Sequence, residues 1–478
     1  MALQLPKFIG LKSNNYNDKY LRYIHEDSAA HGLHQFSSGV ALSGYAKFEV
    51  EQAKIGNGLV HIRSVYNNKY WVRRSSSEWW IAANADEPEE DQSKWTCTLF
   101  EPIRADGCDC DGGLTIRLRH VQLGHFACLW RVPLPYEACL YAASANHDQS
   151  LLDIFPIFDW DSLFILPKHI AFKADNVTGS YLRGKRFQEM NYLTFNGTDI
   201  SSCAVANEVF ATTLGDGTVA IKSLFFDKFW SRGCDNWVVG GSCNSDHNDP
   251  NTLFFPTKVG NNVVALRNLG NQLFCKRFTD EGVINGLSAV IPTITPEAQF
   301  QVYELVATRE IENVEFRLSD GRIYDKKVIT VATGVAETRL LQPTVVDVKL
   351  AYDDKKVSAW SSTVSMKLDV ETSIIKSSIP VIFDDKLAIG PEFSGEYEWG
   401  EAKNLTKKVE TVHKVLVQPL TKVRVNLVAT QASYDVPFSY TQNDTLINGQ
   451  NITLNMEDGI YKGINLYNFK FETESWKL

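Results

Sequence analysis

The chain has 478 residues, which is long for one hydrophobic core and suits about three domains of ordinary size. Apolar residues make up 44% of it and aromatic residues 12%, and no run of about 18 apolar residues could form a spanning helix. The formal net charge is -9 and the chain has no Lys/Arg cluster that would follow phosphates, which excludes nucleic acid as the main partner.

A block near the N-terminus returns later in the chain. Leu5–Lys7 recurs as Leu166–Lys168, and Tyr20–Arg22 recurs as Tyr181–Arg183 at the same offset. Further pairs follow in the same order, with the smaller offsets that insertions in a duplicated unit produce. The pairs are Tyr70–Trp71 with Phe229–Trp230, Trp80 with Trp237, Thr98–Phe100 with Thr252–Phe254, and Leu118–Arg119 with Leu266–Arg267.

Each copy contains a shorter repeat of its own, which begins near Tyr20, Tyr70 and His125 in the first copy. Short β-like runs separated by Gly, Asn, Asp and Ser, without helical periodicity, indicate an all-β fold. Three repeats of four strands are typical of a β-trefoil. We therefore expect two tandem β-trefoil domains at residues 1–157 and 163–306, followed by an unrelated third unit at 308–478. A trefoil by itself assigns no function.

Aromatic side chains in the first copy form a candidate carbohydrate site. Trp79 and Trp80 are adjacent on a predicted strand, so their side chains point to opposite faces and cannot both enter one core. A sugar ring stacks on an aromatic face while nearby polar groups fix its orientation. The alternative is that Tyr70 and Trp71 only cap the barrel. The predicted carbohydrate-binding residues are Asn68, Tyr70, Trp71, Trp79 and Trp80 in the first copy, with Trp230 and Trp237 in the second.

These motifs resemble the amaranthin family of plant lectins over roughly the first two thirds of the chain. The resemblance rests on Asn68–Arg73, Trp79–Ile81, Leu266–Asn268 and Phe274–Arg277, in that order. It implies a pair of trefoils that bind glycans of the galactose/N-acetylgalactosamine disaccharide type. It also implies a head-to-tail dimer in which the first trefoil of one subunit and the second trefoil of its partner share a site.

Two stretches of the third unit alternate apolar and polar residues, Val364–Ile374 and Leu387–Trp399, and Ile379–Phe383 lies between them as an apolar tip. A strand of about eleven residues, tilted by about 40°, projects roughly 28 Å, which suits the hydrocarbon core of a membrane. Several chains would have to close one barrel, because a lone hairpin leaves its edge N–H and C=O groups unpaired. The alternative is a half-buried pair of strands in a soluble sheet.

One face of the predicted hairpin is apolar and the other is polar. On the polar face acidic residues outnumber basic ones five to one, and rings of acidic charge in a pore favour the passage of cations. The predicted pore hairpin residues are Val364, Met366, Leu368, Val370, Ile374, Ile379, Ile382, Phe383, Phe393, Tyr397 and Trp399. The predicted lumen residues are Lys367, Asp369, Glu371, Glu392, Glu396 and Glu398.

The third unit resembles the aerolysin family of β-pore-forming proteins. The resemblance rests on the alternating hairpin together with Trp360–Thr363, Val417–Val423 and Tyr434–Ser439. It implies an elongated, strand-rich module that oligomerises and whose hairpin refolds into a shared membrane barrel.

The sequence shows no Ser/His/Asp order, metal-ligand spacing or phosphate-binding Gly loop, so we expect no enzyme activity, no cofactor and no metal. No secretory signal is readable, which predicts a cytoplasmic or nucleocytoplasmic protein. Together the patterns favour a defence lectin that binds glycans and then forms a membrane pore. One alternative is a soluble stress or storage lectin whose C-terminal module only mediates oligomerisation. Another is a trefoil protease inhibitor.

Overall fold

The structure is a computed structural model of the chain. It describes residues 3–478 except 15, 106–113, 175–178, 213–214, 234, 243–248, 281, 364–369, 371, 375–377 and 393–398, and it describes residues 242, 391 and 392 in their backbone alone. Strands dominate the described residues, which confirms the all-β prediction. Among the same residues no helix is long and apolar enough to cross a membrane.

The first copy folds into one sheet of twelve strands. Six strands close into a ring through the pairs β1–β4, β4–β5, β5–β8, β8–β9, β9–β12 and β12–β1, and the others form the hairpins β2–β3, β6–β7 and β10–β11. The strands are β1 (Phe8–Leu11), β2 (Tyr20–Tyr23), β3 (His34–Ser38), β4 (Phe48–Gln52), β5 (Val60–Ser64), β6 (Tyr70–Arg73), β7 (Ile81–Ala85), β8 (Phe100–Arg104), β9 (Leu114–His120), β10 (His125–Trp130), β11 (Cys139–Ser144) and β12 (Phe155–Asp159).

The second copy repeats this arrangement. Its ring is closed by β13–β16, β16–β17, β17–β20, β20–β21, β21–β24 and β24–β13, and its hairpins are β14–β15, β18–β19 and β22–β23. The strands are β13 (His169–Ala174), β14 (Tyr181–Phe187), β15 (Met190–Gly197), β16 (Asn207–Ala211), β17 (Val219–Ser223), β18 (Lys228–Arg232), β19 (Val238–Ser242), β20 (Phe254–Gly260), β21 (Val263–Asn268), β22 (Phe274–Asp280), β23 (Val283–Ile291) and β24 (Phe300–Glu304).

Short 3-10 helices lead into several of the ring strands. Ser43 and Asp249, for example, each accept a backbone N–H with a side-chain oxygen and so cap the turn that follows. The 3-10 helices are Gly44–Ala46, Trp160–Ser162, Cys203–Val205, Pro250–Thr252, Pro296–Ala298 and Leu318–Asp320.

Each ring encloses its own hydrophobic core. Trp71 and Phe100 pack there in the first copy, and Trp230 and Phe254 hold the corresponding places in the second. Trp71 meets Phe100 edge to face at 5.9 Å between ring centroids, and Trp230 meets Phe254 in the same way at 5.9 Å. The duplicated sequence therefore repeats the core packing as well as the strand order.

The remaining strands form a seven-stranded sheet and a separate two-stranded hairpin. The large sheet has the order β28-β25-β32-β33-β27-β31, with β26 also paired to β32, and the hairpin is β29–β30. The strands are β25 (Val306–Phe316), β26 (Arg322–Thr338), β27 (Thr344–Ser362), β28 (Thr372–Ile374), β29 (Ser378–Phe383), β30 (Lys386–Glu392), β31 (Ala402–Val417), β32 (Thr421–Leu446) and β33 (Asn451–Lys477).

The chain divides into two compact units. Among the described residues, the first contains those up to Arg309 together with Asn443–Leu454, and the second contains Glu310–Thr363, those between Thr372 and Gln442, and Asn455–Leu478. The second unit has an aromatic core that includes Trp360, Tyr434, Phe438 and Tyr461, and a second, aliphatic cluster that includes Val348, Val417 and Val425. Gly463 lets the aromatic core pack tightly, because a Cβ there would lie 2.2 Å from the Tyr434 ring.

The tip of the predicted hairpin is placed differently from the prediction. Ile379–Phe383 is part of strand β29, and the turn lies at Asp384 and Asp385, with φ of 48° and 60°. Two consecutive left-handed residues make the tight two-residue turn that suits the twist of a hairpin, and aspartate tolerates this conformation. The apolar run therefore forms one side of the hairpin and not its end.

Candidate functional site

The predicted carbohydrate-binding residues fall into a buried group and a half-buried group. Trp71 is fully buried, and its ring lies 4.6 Å from His34 and 5.0 Å from Phe48 between centroids. A ring enclosed in this way has no face to offer a sugar, so the structure places Trp71 in the core and not on the binding surface. Asn68 and Tyr70 are also buried, and the Tyr70 hydroxyl donates a 2.7 Å hydrogen bond to Glu51.

The two tryptophans predicted in the second copy are also buried. Trp230 is 0% exposed, and its indole N–H donates to Asn207 at 3.2 Å. Trp237 is 3% exposed and packs edge to face on Tyr192 at 6.0 Å. Neither indole presents a surface on which a ligand could stack.

Trp79 and Trp80 behave as their adjacency predicts. Trp79 packs against the main core of the first copy, whereas Trp80 packs against a separate small cluster that includes Leu33 and Cys139. Both rings are half-buried and both reach Tyr141, at 6.1 Å from Trp79 and 4.6 Å from Trp80. The structure therefore brings the two tryptophans to one tyrosine.

The sequence prediction missed three further aromatic residues beside them. Trp130 lies 5.0 Å from Tyr141, and Tyr136 stacks on Trp80 at 5.1 Å and 17° between planes. We call Trp79, Trp80, Trp130, Tyr136 and Tyr141 the aromatic patch. The hairpin β10–β11 contributes three of these residues, and their number in one short stretch is the sequence signal that could have revealed them.

Polar groups border the aromatic patch. The Arg74 guanidinium lies over the Tyr136 ring at 5.8 Å and donates to the Ala29 carbonyl at 3.0 Å. Burial raises the pKa of the Tyr141 hydroxyl, and the nearby Glu78 carboxylate raises it further. A tyrosine hydroxyl is already protonated at neutral pH, so Tyr141 can donate a hydrogen bond. Half-buried rings beside cationic and hydroxyl donors are the chemistry that binds sugars.

The described part of the candidate pore hairpin is docked on the core of the second unit. Ile379 and Ile382 are buried in that core, whereas Phe383 is 67% exposed. The Asn465 side chain makes two hydrogen bonds to the backbone of Ile382. Its oxygen accepts from the Ile382 N–H at 3.0 Å, and its amide donates to the Ile382 carbonyl at 3.1 Å. The Tyr434 hydroxyl adds a 2.8 Å hydrogen bond to the Pro380 carbonyl.

Of the other predicted hairpin residues, only some belong to the described part of the chain. Ile374 and Trp399 pack at the edge of the same core, Val370 is half-buried, and Trp399 lies 5.3 Å from Tyr440. Glu392 ends strand β30, and its side chain is not described. The remaining predicted residues lie outside the described residues: Val364, Met366, Leu368, Phe393, Tyr397, Lys367, Asp369, Glu371, Glu396 and Glu398.

No cluster of three or more His, Cys, Asp or Glu able to hold a metal ion is found among the residues that the structure describes. Next to the aromatic patch lies a pocket whose lining includes Phe126, Trp130, His147 and Asp153.

Two closed rings, the first of which carries the aromatic patch, followed by a unit of long strands, define a class of multidomain all-β proteins. The Agglutinin domain matches the chain twice, at residues 3–159 and 164–306. These matches cover more than half of the chain, and the protein belongs to this family. A comparison with curated proteins finds no match.

Several solved structures are similar to the chain. The Lamprey immune protein is 13% identical, with a TM-score of 0.31, over 66% of this chain and 93% of that one. An aerolysin-like protein of Bombina maxima is 13% identical, with a TM-score of 0.25, over 35% of this chain and 99% of that one. The parasporin-2 toxin of Bacillus thuringiensis is 14% identical, with a TM-score of 0.22, over 40% and 83%.

Proposed function

We propose that the protein is a lectin whose two agglutinin domains are tandem β-trefoils and whose C-terminal unit forms a membrane pore after it oligomerises. The two closed rings with three hairpins each support the trefoil assignment. The lectin assignment rests on the match to the Agglutinin domain. Galactose/N-acetylgalactosamine disaccharides are the proposed ligands, and a head-to-tail dimer is the proposed way to complete their site.

The observation that carries the glycan-binding part is the aromatic patch. Its members are half-buried, so they keep a fixed geometry while part of each ring remains exposed. Stacking on such rings gives affinity, and neighbouring donors such as Tyr141 give orientation. Several weak sites on one assembly would raise the avidity for a glycan-bearing surface without any new contact.

The experiment for this part is binding to a glycan array by the full chain and by a Trp79→Ala/Trp80→Ala variant. We expect the wild type to bind glycans that carry galactose/N-acetylgalactosamine disaccharides and the variant to lose most of that signal. A matched variant, Trp95→Ala, removes an exposed tryptophan outside the patch and should bind as the wild type does. Equal binding by the wild type and the double variant would move the site elsewhere.

The observation that carries the pore-forming part is the docked hairpin. Its apolar residues Ile379 and Ile382 are stored against a core in the water-soluble form, and Asn465 and Tyr434 hold its backbone in place. A hairpin that can be released in this way, with an alternating sequence on both sides, could pair with copies of itself into a closed barrel.

The experiment for this part is dye release from liposomes that carry a galactose-terminated glycolipid. We expect concentration-dependent leakage and ring-shaped oligomers on the liposomes in electron micrographs. The soluble-lectin alternative predicts binding to the same liposomes without leakage, and that outcome would reject the pore.

A further inference from the structure

We infer that the third repeat of the first copy contains a second sugar subsite beside the aromatic patch, a pocket that accepts a neutral pyranose through one oxygen of Asp153. This inference rests on the proposed glycan-binding function. The pocket has a volume of about 390 Å³, which falls in the range of roughly 300 to 1,000 Å³ that is usual for small-molecule sites. Its lining includes Phe126, Trp130, His147, Gln149 and Asp153.

Asp153 is the unusual member of this pocket. Its side chain is completely buried, and its two carboxylate oxygens have different surroundings. Oδ2 accepts from the Arg117 guanidinium at 3.0 Å and from the Asp148 N–H at 3.2 Å. Oδ1 is buried and has no hydrogen-bond partner among the described residues. A buried acceptor without a donor costs about 1 to 3 kcal/mol, so a donor supplied by a ligand would be favourable.

The internal repeats show that the fold does not need a carboxylate here. Asp153 lies two residues before the start of the ring strand β12, and each of the other five repeats has a buried residue at the same place before its own strand. All six residues are at most 1% exposed. They are Ala46, Thr98 and Asp153 in the first copy and Val205, Thr252 and Ala298 in the second.

Five of these six positions are occupied by Ala, Thr or Val. These residues are small and uncharged, so they fill the site without the desolvation cost of a carboxylate. The Arg117 ion pair explains why one oxygen of Asp153 is tolerated, but it leaves the second oxygen without a structural role. A ligand contact gives that oxygen a role.

The surroundings of Oδ1 favour a neutral sugar over a cation or an anion. Arg117 already balances the charge of Asp153, so the free oxygen needs a hydrogen-bond donor and not a second positive charge. A sialic acid or uronic acid would bring a carboxylate toward Asp153 and be repelled. The half-buried Trp130 supplies an apolar face for the C–H side of a pyranose, and the buried Phe126 supports the pocket beneath His147, which packs edge to face on it at 4.6 Å.

Trp130 links this pocket to the aromatic patch. It lines the pocket and also lies 5.0 Å from Tyr141, which contacts Trp79 and Trp80. A glycan of two or more sugars could therefore occupy the pocket with one residue and the aromatic patch with the next. The second copy has Ala298 in place of Asp153 and lacks this anchor.

The test is calorimetric and NMR titration of the full chain with galactose, N-acetylgalactosamine, glucose and mannose, with sialic acid as the anionic probe. We expect at least one neutral sugar to bind and to shift the Trp130 indole signal, and sialic acid not to bind. Asp153→Asn should weaken the neutral sugar at least tenfold, because a hydrogen bond to a charged group is among the stronger ones.

Asp153→Asn also weakens the ion pair to Arg117 and could unfold the first copy, so variants at the pocket mouth keep the inference testable. His147 and Gln149 are exposed, and His147→Ala and Gln149→Ala should each weaken the neutral sugar several-fold with unchanged thermal unfolding. Gln52→Ala, an exposed glutamine in β4, is the matched control and should bind as the wild type does.

The outcomes separate the two proposals. If the wild type binds multivalent glycans but neither the Asp153 variant nor the mouth variants change monosaccharide affinity, the subsite is rejected and the lectin function stands. Glycan binding without any monosaccharide binding rejects the subsite as well. If the wild type binds neither glycans nor monosaccharides, the proposed lectin function itself fails.

Discussion

At the scale of single residues, the tryptophans of the first copy occupy two different environments, the core and the half-buried aromatic patch. Trp71 fills the core between His34, Phe48 and Phe100, whereas Trp79 and Trp80 belong to the half-buried aromatic patch. A large core residue and a surface residue respond differently to truncation. Substitution therefore distinguishes a structural tryptophan from a binding one.

Trp71→Ala should destabilise the first copy by about 3 to 5 kcal/mol, because it removes an enclosed ring and leaves a cavity. Trp80→Ala should cost much less stability and should weaken glycan binding. Thermal unfolding and glycan-array binding of both variants measure the two effects. A Trp71→Ala protein with wild-type stability would contradict the core assignment.

Two histidines make the first copy sensitive to acid. Burial lowers the pKa of His34 to about 3 and that of His120 to about 4, and Arg73 contributes a smaller lowering at His120. The folded state keeps both rings neutral, whereas the unfolded chain protonates them below about pH 6.5. Between that pH and about 4 the unfolded state binds more protons, so stability falls as the pH falls.

At pH 5 each histidine should cost about 2 kcal/mol of folding free energy relative to pH 7.5. Calorimetric unfolding at the two pH values measures the total, to which other groups contribute. His120→Gln isolates one share, and its unfolding temperature should depend less on pH than that of the wild type. An equal pH dependence in both proteins would refute the assignment.

At the scale of elements, the hairpin β29–β30 combines buried and exposed apolar residues. Ile379 and Ile382 are enclosed, Phe383 is exposed next to the turn, and the backbone of β29 is held by Asn465 and Tyr434. These polar contacts, together with the burial of Ile379 and Ile382, hold the hairpin in its docked position. Weakening them should lower the cost of leaving the soluble state.

Asn465→Ala should therefore accelerate dye release from glycolipid liposomes roughly tenfold, because it removes two hydrogen bonds to Ile382. Asn426→Ala, an asparagine of β32 that bonds to Thr333, is the matched control and should change the rate less than twofold. Initial leakage rates at equal bound protein give the comparison. Slower release by Asn465→Ala would mean that Asn465 supports the inserted form.

The sequence predicted elements better than it predicted burial. Alternation along Leu387–Trp399 predicted a strand, and its described part lies in β30, whereas most of Val364–Ile374 lies outside the described residues. The two aspartates at 384 and 385 were the turn signal and were overlooked in favour of the apolar run before them. Trp71 was misplaced for a different reason. All four residues of β6 are buried, so neighbouring residues do not alternate between core and solvent, and periodicity could not show which face was exposed.

Asp153 has no local sequence signal, because one acidic residue in a loop is ordinary. It becomes unusual only when the six repeats are aligned by the starts of their ring strands, and that alignment requires the structure. Trp79 and Trp80 needed no such help. Their adjacency alone predicted that they would enter different clusters, and they do.

At the scale of the whole molecule, the proposed pore-forming activity depends on a pore lined by the polar face of the predicted hairpin. The predicted lumen residues carry five acidic groups and one basic group per chain. An oligomer multiplies this imbalance into rings of negative charge, and such rings attract cations.

Reversal potentials in a planar bilayer with a salt gradient should therefore show a preference for cations. Substitution of Glu371 and Glu392 by glutamine should reduce the preference, and Lys367→Gln should increase it. Anion preference in the wild type would exclude this hairpin as the pore lining.

Ring closure in both copies has one further consequence. The ring strands are hydrogen-bonded to neighbours on both sides, so the loops that connect them can change without loss of the backbone pairing. Because the unit is duplicated, the first copy can carry the buried charge of Asp153, which costs folding stability. The second copy keeps the neutral Ala298 at the corresponding position. Substitutions in one copy can therefore change its ligand specificity while the other copy keeps a stable fold.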